Sequence, residues 1–132
     1  MNEEETGSSL VPCVRELGDI GDWQWGFLSR IKISGMLIRI VRMHFTEAGV
    51  AEFLRIFEDN MKAIRNFDGC SHLELMKDVE DPFTYTTLSY WRDSECLDNY
   101  RKSELFGSVW GSVKTLFAER SQAFSLEKYI VL

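Results

Sequence analysis

Ser89–Trp110 reads SYWRDSECLDNYRKSELFGSVW, and this stretch decides the fold. An aromatic pair, Tyr90 and Trp91, ends a strand. The Asp93-Ser94 pair then caps a short helix carrying Leu97 and Tyr100, because a short polar side chain accepts from the unpaired amides of a first helical turn. Ser103 opens a second helix with Leu105, Phe106, Val109 and Trp110. The rings of Trp91, Tyr100, Phe106 and Trp110 are spaced so that several can point into one space. If the chain has an active site, it is expected here.

Phe83–Trp91 (FTYTTLSYW) is β-branched and aromatic, which predicts a strand. Cys70–Lys77 (CSHLELMK) alternates, with Leu73 and Leu75 on one face and His72, Glu74 and Met76 on the other. The polar turn Asp78–Pro82 joins these runs as a hairpin, and Pro82 restricts Asp81 to extended conformations. Before it, Val50, Phe53, Leu54, Phe57, Met61 and Ile64 recur at helical spacing. They predict an amphipathic helix with Thr46 as its N-cap and Gly69 in its C-terminal turn. Met36–Phe45 (MLIRIVRMHF) alternates as a strand, with Ile38, Ile40, Arg42 and His44 opposite Leu37, Arg39, Val41, Met43 and Phe45. After the opening stretch, Glu104–Glu119 continues as a helix and Ser121–Leu132 closes the chain as a strand.

The order β-α-β-β-α-β predicts an α+β fold, the ferredoxin-like split arrangement of an antiparallel sheet with helices on one face. Both faces of the first strand are largely apolar, so both need a cover. The simplest second cover is another copy of the chain, a homodimer.

The 132 residues fit one domain at 36–132 with an N-terminal extension at 1–35. The extension holds five of the nine glycines and no clean period, with a short helix expected around 15–17 and an amphipathic run at 25–33. It is either an appendage that packs on the domain or a segment upstream of a natural start at Met36. A net charge of -6 argues against a nucleic-acid partner, which needs a basic stripe. No run approaches the roughly 20 apolar residues of a membrane helix, and MNEEE is acidic where a secretory signal is basic. Three widely spaced cysteines without a CxxC pair give neither a disulfide framework nor a zinc site, and a reducing, cytoplasmic location is the simple reading. Two histidines without HxH or HxxxH spacing give a metal site little support.

MLIRIVRM at 36–43, FDGCSHLEL at 67–75 and YWRDSECLDNYRKSELF at 90–106 resemble the antibiotic biosynthesis monooxygenase family, within the dimeric α+β barrel superfamily. The resemblance covers about residues 36–129. It implies a dimeric barrel of ferredoxin-like protomers. Some members oxygenate polycyclic aromatics or quinols without metal or flavin, and others degrade haem. Haem-degrading members have an iron-ligating His at about Trp110, a Trp at about Tyr100 and an Asn near Val41 or Arg42. None of the three is present, which speaks against haem degradation. Many members also carry a His at Tyr100 and another near Phe106, and this chain has neither. The resemblance therefore implies a cofactor-independent monooxygenase acting with O2 on a small aromatic or quinol-like substrate. The alternative, favoured by the missing histidines, is a non-catalytic small-ligand-binding or stress-associated module on the same fold.

Oxygenation without a cofactor needs a base to ionise the substrate, donors to steady the anion, and an apolar cavity that excludes water. His72 is the candidate base, with Glu74 beside it on the strand face; the alternative is a solvated or interfacial pair. Trp91 offers an indole N–H and a stacking ring, or simply fills the sheet–helix seam. Tyr100 is a donor, since a phenol of pKa about 10 is a poor base at neutral pH. Phe53, Phe57, Phe106 and Trp110 line a substrate space or pack the core, and His44 adds an imidazole on the first strand. Arg39 and Arg42 hold an anionic ligand group or pair with nearby carboxylates. No cation adjacent in sequence marks Cys70 as an activated thiolate.

Overall fold

The computed structural model describes residues 36–132. The expectations for residues 1–35, including the question of a natural start at Met36, lie outside the described residues. The elements are β1 (Leu37–His44), α1 (Gly49–Arg65), β2 (Cys70–Lys77), β3 (Thr84–Trp91), α2 (Ser94–Arg101), α3 (Glu104–Val113), a 3-10 turn at Lys114–Leu116, and β4 (Gln122–Leu126). The sheet order is β2-β3-β1-β4 with every pairing antiparallel. This is the expected α+β, ferredoxin-like architecture.

Local chemistry sets the boundaries. The Asp93 carboxylate accepts from the Cys96 amide at 2.9 Å and the Ser103 hydroxyl from the Phe106 amide at 3.1 Å, so both caps form as read. The Thr46 hydroxyl accepts from the Gly49 amide at 3.0 Å as α1 begins. Gly69 has φ of 94°, and a Cβ there would lie 2.5 Å from the Cβ of buried Cys96. Only glycine meets both constraints. In the hairpin turn, Asp78 accepts from the amides of Glu80 and Asp81, and Asp81 accepts from that of Phe83.

Two elements stop earlier than the sequence predicts. The last helix ends at Val113 because the chain is drawn onto the end of β1: Phe117 bridges Phe45, and the amide of Ala118 donates to the His44 carbonyl at 2.8 Å. β4 ends at Leu126 because that residue pairs with Ile38, one position from the start of β1. Beyond it, Tyr129–Leu132 carry their side chains in solvent.

The core divides along the strands. Met43, Phe45, Phe53, Ile56, Tyr85 and Val113 form one cluster, and Cys70, Trp91, Cys96 and Leu97 the other. Register puts Met43 opposite Tyr85 at one end of the sheet and Leu37 opposite Trp91 at the other. The middle of the same face lies between the clusters. On the opposite face, Ile38 aligns with Tyr90 and Leu126, and Ile40 with Leu88 and Phe124. Phe124 and Leu126 are 49% and 48% exposed, and no described element covers this apolar strip.

Candidate functional site

The gap between the two core clusters is a cavity of about 590 Å³ between sheet and helices. Arg39, Val41 and Met43 of β1, Leu73 of β2, and Thr87, Ser89 and Trp91 of β3 form its floor. They share a face because side chains alternate along a strand. α1 contributes Phe53 and Phe57, α2 contributes Leu97 and Tyr100, and α3 contributes Phe106, Val109 and Trp110. A shallower depression of about 680 Å³ lies on the outer flank of α1, against Leu54, Glu58, Met61 and Leu75. It lacks the enclosing walls of the cavity.

Six aromatic rings line the cavity beside aliphatic and charged side chains, and they belong to a longer series of ring contacts. Trp91 stacks on Tyr100 at 5.0 Å between centroids, and Tyr100 meets Phe106 edge-on at 5.2 Å. Phe106 stacks nearly parallel on Trp110 at 5.8 Å, and Trp110 meets Phe117 at 5.5 Å. From Phe117 the series continues through Phe45 and Phe53 to Phe57. Offset and edge-on contacts of this kind fix ring orientation and leave flat faces for a planar ligand.

Trp91 is 1% exposed, and its indole N–H donates to the Ser89 hydroxyl at 2.9 Å. The sequence suggests that this N–H can serve a ligand; the fold gives it a partner two residues away on the same strand face. Tyr100 is largely buried, and burial first, then the nearby Cys70 thiol, raises its hydroxyl well above the usual phenol value. It therefore stays protonated and can donate but not act as a base. Burial likewise raises the Cys70 thiol, whose Sγ lies 3.5 Å from the His72 carbonyl oxygen, so no reactive thiolate forms there.

The two histidines stand elsewhere. His72 alternates with Leu73, which lines the cavity, so its ring lies on the opposite face of the sheet. Its Nε2 is 2.6 Å from a Glu74 oxygen, and its ring packs 5.0 Å from Tyr90. His44 is on that opposite face as well, with Nδ1 2.8 Å from the Thr84 hydroxyl and 3.2 Å from an Asp81 oxygen. The expected grouping is thus corrected. Trp91, Tyr100, Phe53, Phe57, Phe106 and Trp110 meet around one cavity, whereas His72 and His44 do not reach it. Sequence reading missed Ser89, Thr87 and the charged rim of Asp98, Arg101 and Lys102. The signal for Ser89 was its position two residues before Trp91; nothing local marked the rim. Among the described residues no three His, Cys, Asp or Glu side chains cluster to hold a metal, and no helix is long and apolar enough to cross a membrane.

A family model described as antibiotic biosynthesis monooxygenase matches residues 36–109. No curated protein matches the chain. Among solved structures, a conserved protein from Methanosarcina mazei superposes with a TM-score of 0.71 at 16% identity, covering 76% of this chain and 99% of that one. A structure described as an antibiotic biosynthesis monooxygenase gives 0.68 at 16% identity over 71% and 99%. A Mycobacterium tuberculosis protein gives 0.68 at 16% identity over 73% and 97%. At these identities the structural matches establish a shared fold.

Proposed function

The chain belongs to the antibiotic biosynthesis monooxygenase family, and from that premise we propose that its cavity binds a small aromatic or quinol-like molecule and oxygenates it with O2, without a metal or organic cofactor. The observation that carries the reading is the aromatic-walled cavity of about 590 Å³ between helices and sheet, within the roughly 300–1,000 Å³ usual for small-molecule sites. For a quinol the balance is closed by the substrate itself. One oxygen atom enters the ring, the other leaves as water with the two hydrogens the substrate loses, and the product is a hydroxyquinone. The electrons come from the ring, so the protein must favour the ionised substrate and keep water away.

In this reading Tyr100 donates to a substrate oxygen, and Phe106 and Trp110 hold the ring by stacking, with buried Trp91 backing Tyr100. No imidazole lines the cavity, so in this reading the substrate's proton passes to solvent or to the rim carboxylate of Asp98. The functional unit is a homodimer, in which the apolar strip of Ile38, Ile40, Leu88, Phe124 and Leu126 closes on a second copy.

Oxygen consumption with a panel of benzo- and naphthoquinols tests the proposal. Uptake above the uncatalysed rate is expected, falling about 10²-fold in Tyr100→Phe, the loss typical of a single donor to a developing anion. The absence of an imidazole from the cavity supports a second reading, a ligand-binding module. Saturable binding of a quinol analogue with no oxygen uptake would favour that reading, and absence of both binding and uptake would refute the two together.

A further inference from the structure

We infer that the ligand of this cavity is an aromatic acid: a planar ring system carrying a carboxylate that sits against Arg39 and Arg101. The inference rests on the cavity being a ligand site and adds the charge of its occupant.

The chain carries a net charge of -6, yet the cavity reverses that sign. Its fully charged lining side chains are Arg39, Arg101 and Lys102 against the single carboxylate of Asp98. Asp98 cannot neutralise this surplus. It lies 3.8 Å from Arg101, with both side chains about half exposed, and exposed pairs of that kind are weak. Arg101 and Lys102 have an ordinary structural explanation, since cations near the C-terminus of α2 complement the helix dipole. Arg39 does not share it. It stands on β1, in the floor of the cavity, where a residue of the helix-facing side is usually apolar.

Arg39 is also placed as if to receive something. Its Nη1 donates to the Ser125 hydroxyl at 2.8 Å, on the β4 residue directly across the strand pair. That bond orients the guanidinium and uses one of its five N–H groups. Burial first, and the neighbouring charge of Arg101 second, make its protonated form less comfortable than usual, with Asp98 partly opposing. A half-buried cation beside another cation is relieved by an anion. A planar guanidinium fork matches a carboxylate with two parallel bonds, whereas a phenolate offers one oxygen. The walls of Tyr100, Phe106 and Trp110 supply rings for the rest of the molecule to pack against.

The test is calorimetric titration of the full chain with 2-naphthoate and its neutral isostere 2-naphthamide. Naphthoate is expected to bind at least about 10-fold more tightly at low salt, with the advantage shrinking as salt rises. Arg39→Gln and Arg101→Gln should each remove most of that advantage by weakening naphthoate binding far more than naphthamide binding, while Arg39→Lys retains part of it. Arg101 is exposed at a helix end, so its variant carries the test even if Arg39→Gln fails to fold. Equal binding of the two probes would overturn acid recognition and leave the aromatic cavity standing as a ligand site. Binding of neither would refute the cavity reading and the acid with it.

Discussion

Replacing Ser89 by Ala and Trp91 by Phe, singly and together, tests whether the indole N–H is committed to the cavity wall or available to a ligand. Trp91 is 1% exposed and Ser89 8% exposed, and they share a 2.9 Å hydrogen bond. Trp91→Phe vacates roughly 40 Å³, which costs about 1 kcal/mol at about 24 cal/mol per Å³ of residual cavity. Loss of the hydrogen bond adds about 1 kcal/mol. The stack on Tyr100, now at 5.0 Å, is largely kept by the phenyl ring. The expected destabilisation is therefore about 2 kcal/mol. Ser89→Ala leaves a buried indole N–H without its acceptor, for about 1–3 kcal/mol. In the double variant neither partner is stranded, so the cycle should show a coupling of about 1 kcal/mol.

Urea unfolding followed by far-ultraviolet circular dichroism gives these values, at one fixed protein concentration because association would shift the midpoint. For a domain of this size, about 2 kcal/mol corresponds to a Tm loss of roughly 7–10 °C. Additive effects, or a Ser89→Ala variant as stable as wild type, would refute the assignment of the N–H to Ser89. The ligand arm is separate: Ser89→Ala should change naphthoate binding little, since the indole N–H is not aimed at the cavity's occupant.

Three further perturbations follow from the same geometry. Gly69→Ala forces a side chain onto a φ of 94° and brings its Cβ to 2.5 Å from that of Cys96. Strain of about 1–2 kcal/mol plus overpacking of about 1–3 kcal/mol should lower stability by about 3 kcal/mol in urea, and a loss under about 1 kcal/mol would show that the contact yields freely. The Asp81 carboxyl is held below its usual value, first by the Phe83 amide, then by the Thr84 hydroxyl and the charges of His44 and Arg42, with burial opposing. A depressed folded pKa contributes stability that is complete above the unfolded value, near pH 3.9, and is lost as pH falls through the folded one. The difference between wild type and Asp81→Asn should thus shrink as pH falls from about 5 toward 2; a difference that stays constant over that range would contradict the assignment. Leu88→Glu on the uncovered sheet face should halve the mass measured by light scattering, and a wild-type protein that is already monomeric at micromolar concentration would refute the dimer.

The strands and α1 are legible in the sequence because their signals are local. Alternation in Met36–Phe45 and the helical spacing from Val50 to Ile64 survive into β1 and α1 with boundaries shifted by a residue or so. The ends of α3 and β4 are not legible because they are set by distant partners. Phe117 leaves helical geometry to bridge Phe45, and Leu126 is the last residue of β4 to find a partner on β1. The site divides the same way. Its aromatic wall is legible, because four of its rings fall within one stretch of 22 residues. Its cationic side is legible only at Arg39, because Arg101 joins that residue only through the packing of α2 on the sheet.

The placement of the histidines follows from the alternation of a strand alone. Leu73 and Leu75 are the apolar pair of β2, so the side they occupy must face the helices, and His72 must face away. The same parity separates Arg39, Val41 and Met43 from Ile38, Ile40 and His44 on β1. A register slip of one residue would exchange the two sets, and the buried ends of the sheet, Trp91 and Met43, forbid it. The sheet is therefore a partition. One side holds rings and cations around a cavity; the other holds imidazole–carboxylate pairs beside an apolar strip. In the proposed reading, chemistry in the cavity draws on a protonated Tyr100, the cations of Arg39, Arg101 and Lys102, the Asp98 carboxylate and the acidity of the substrate itself. His72 and His44 belong to the face proposed to meet a second copy. Their substitution should alter association and leave ligand binding in the cavity intact. A loss of naphthoate binding in His72→Gln at unchanged oligomeric state would break the partition.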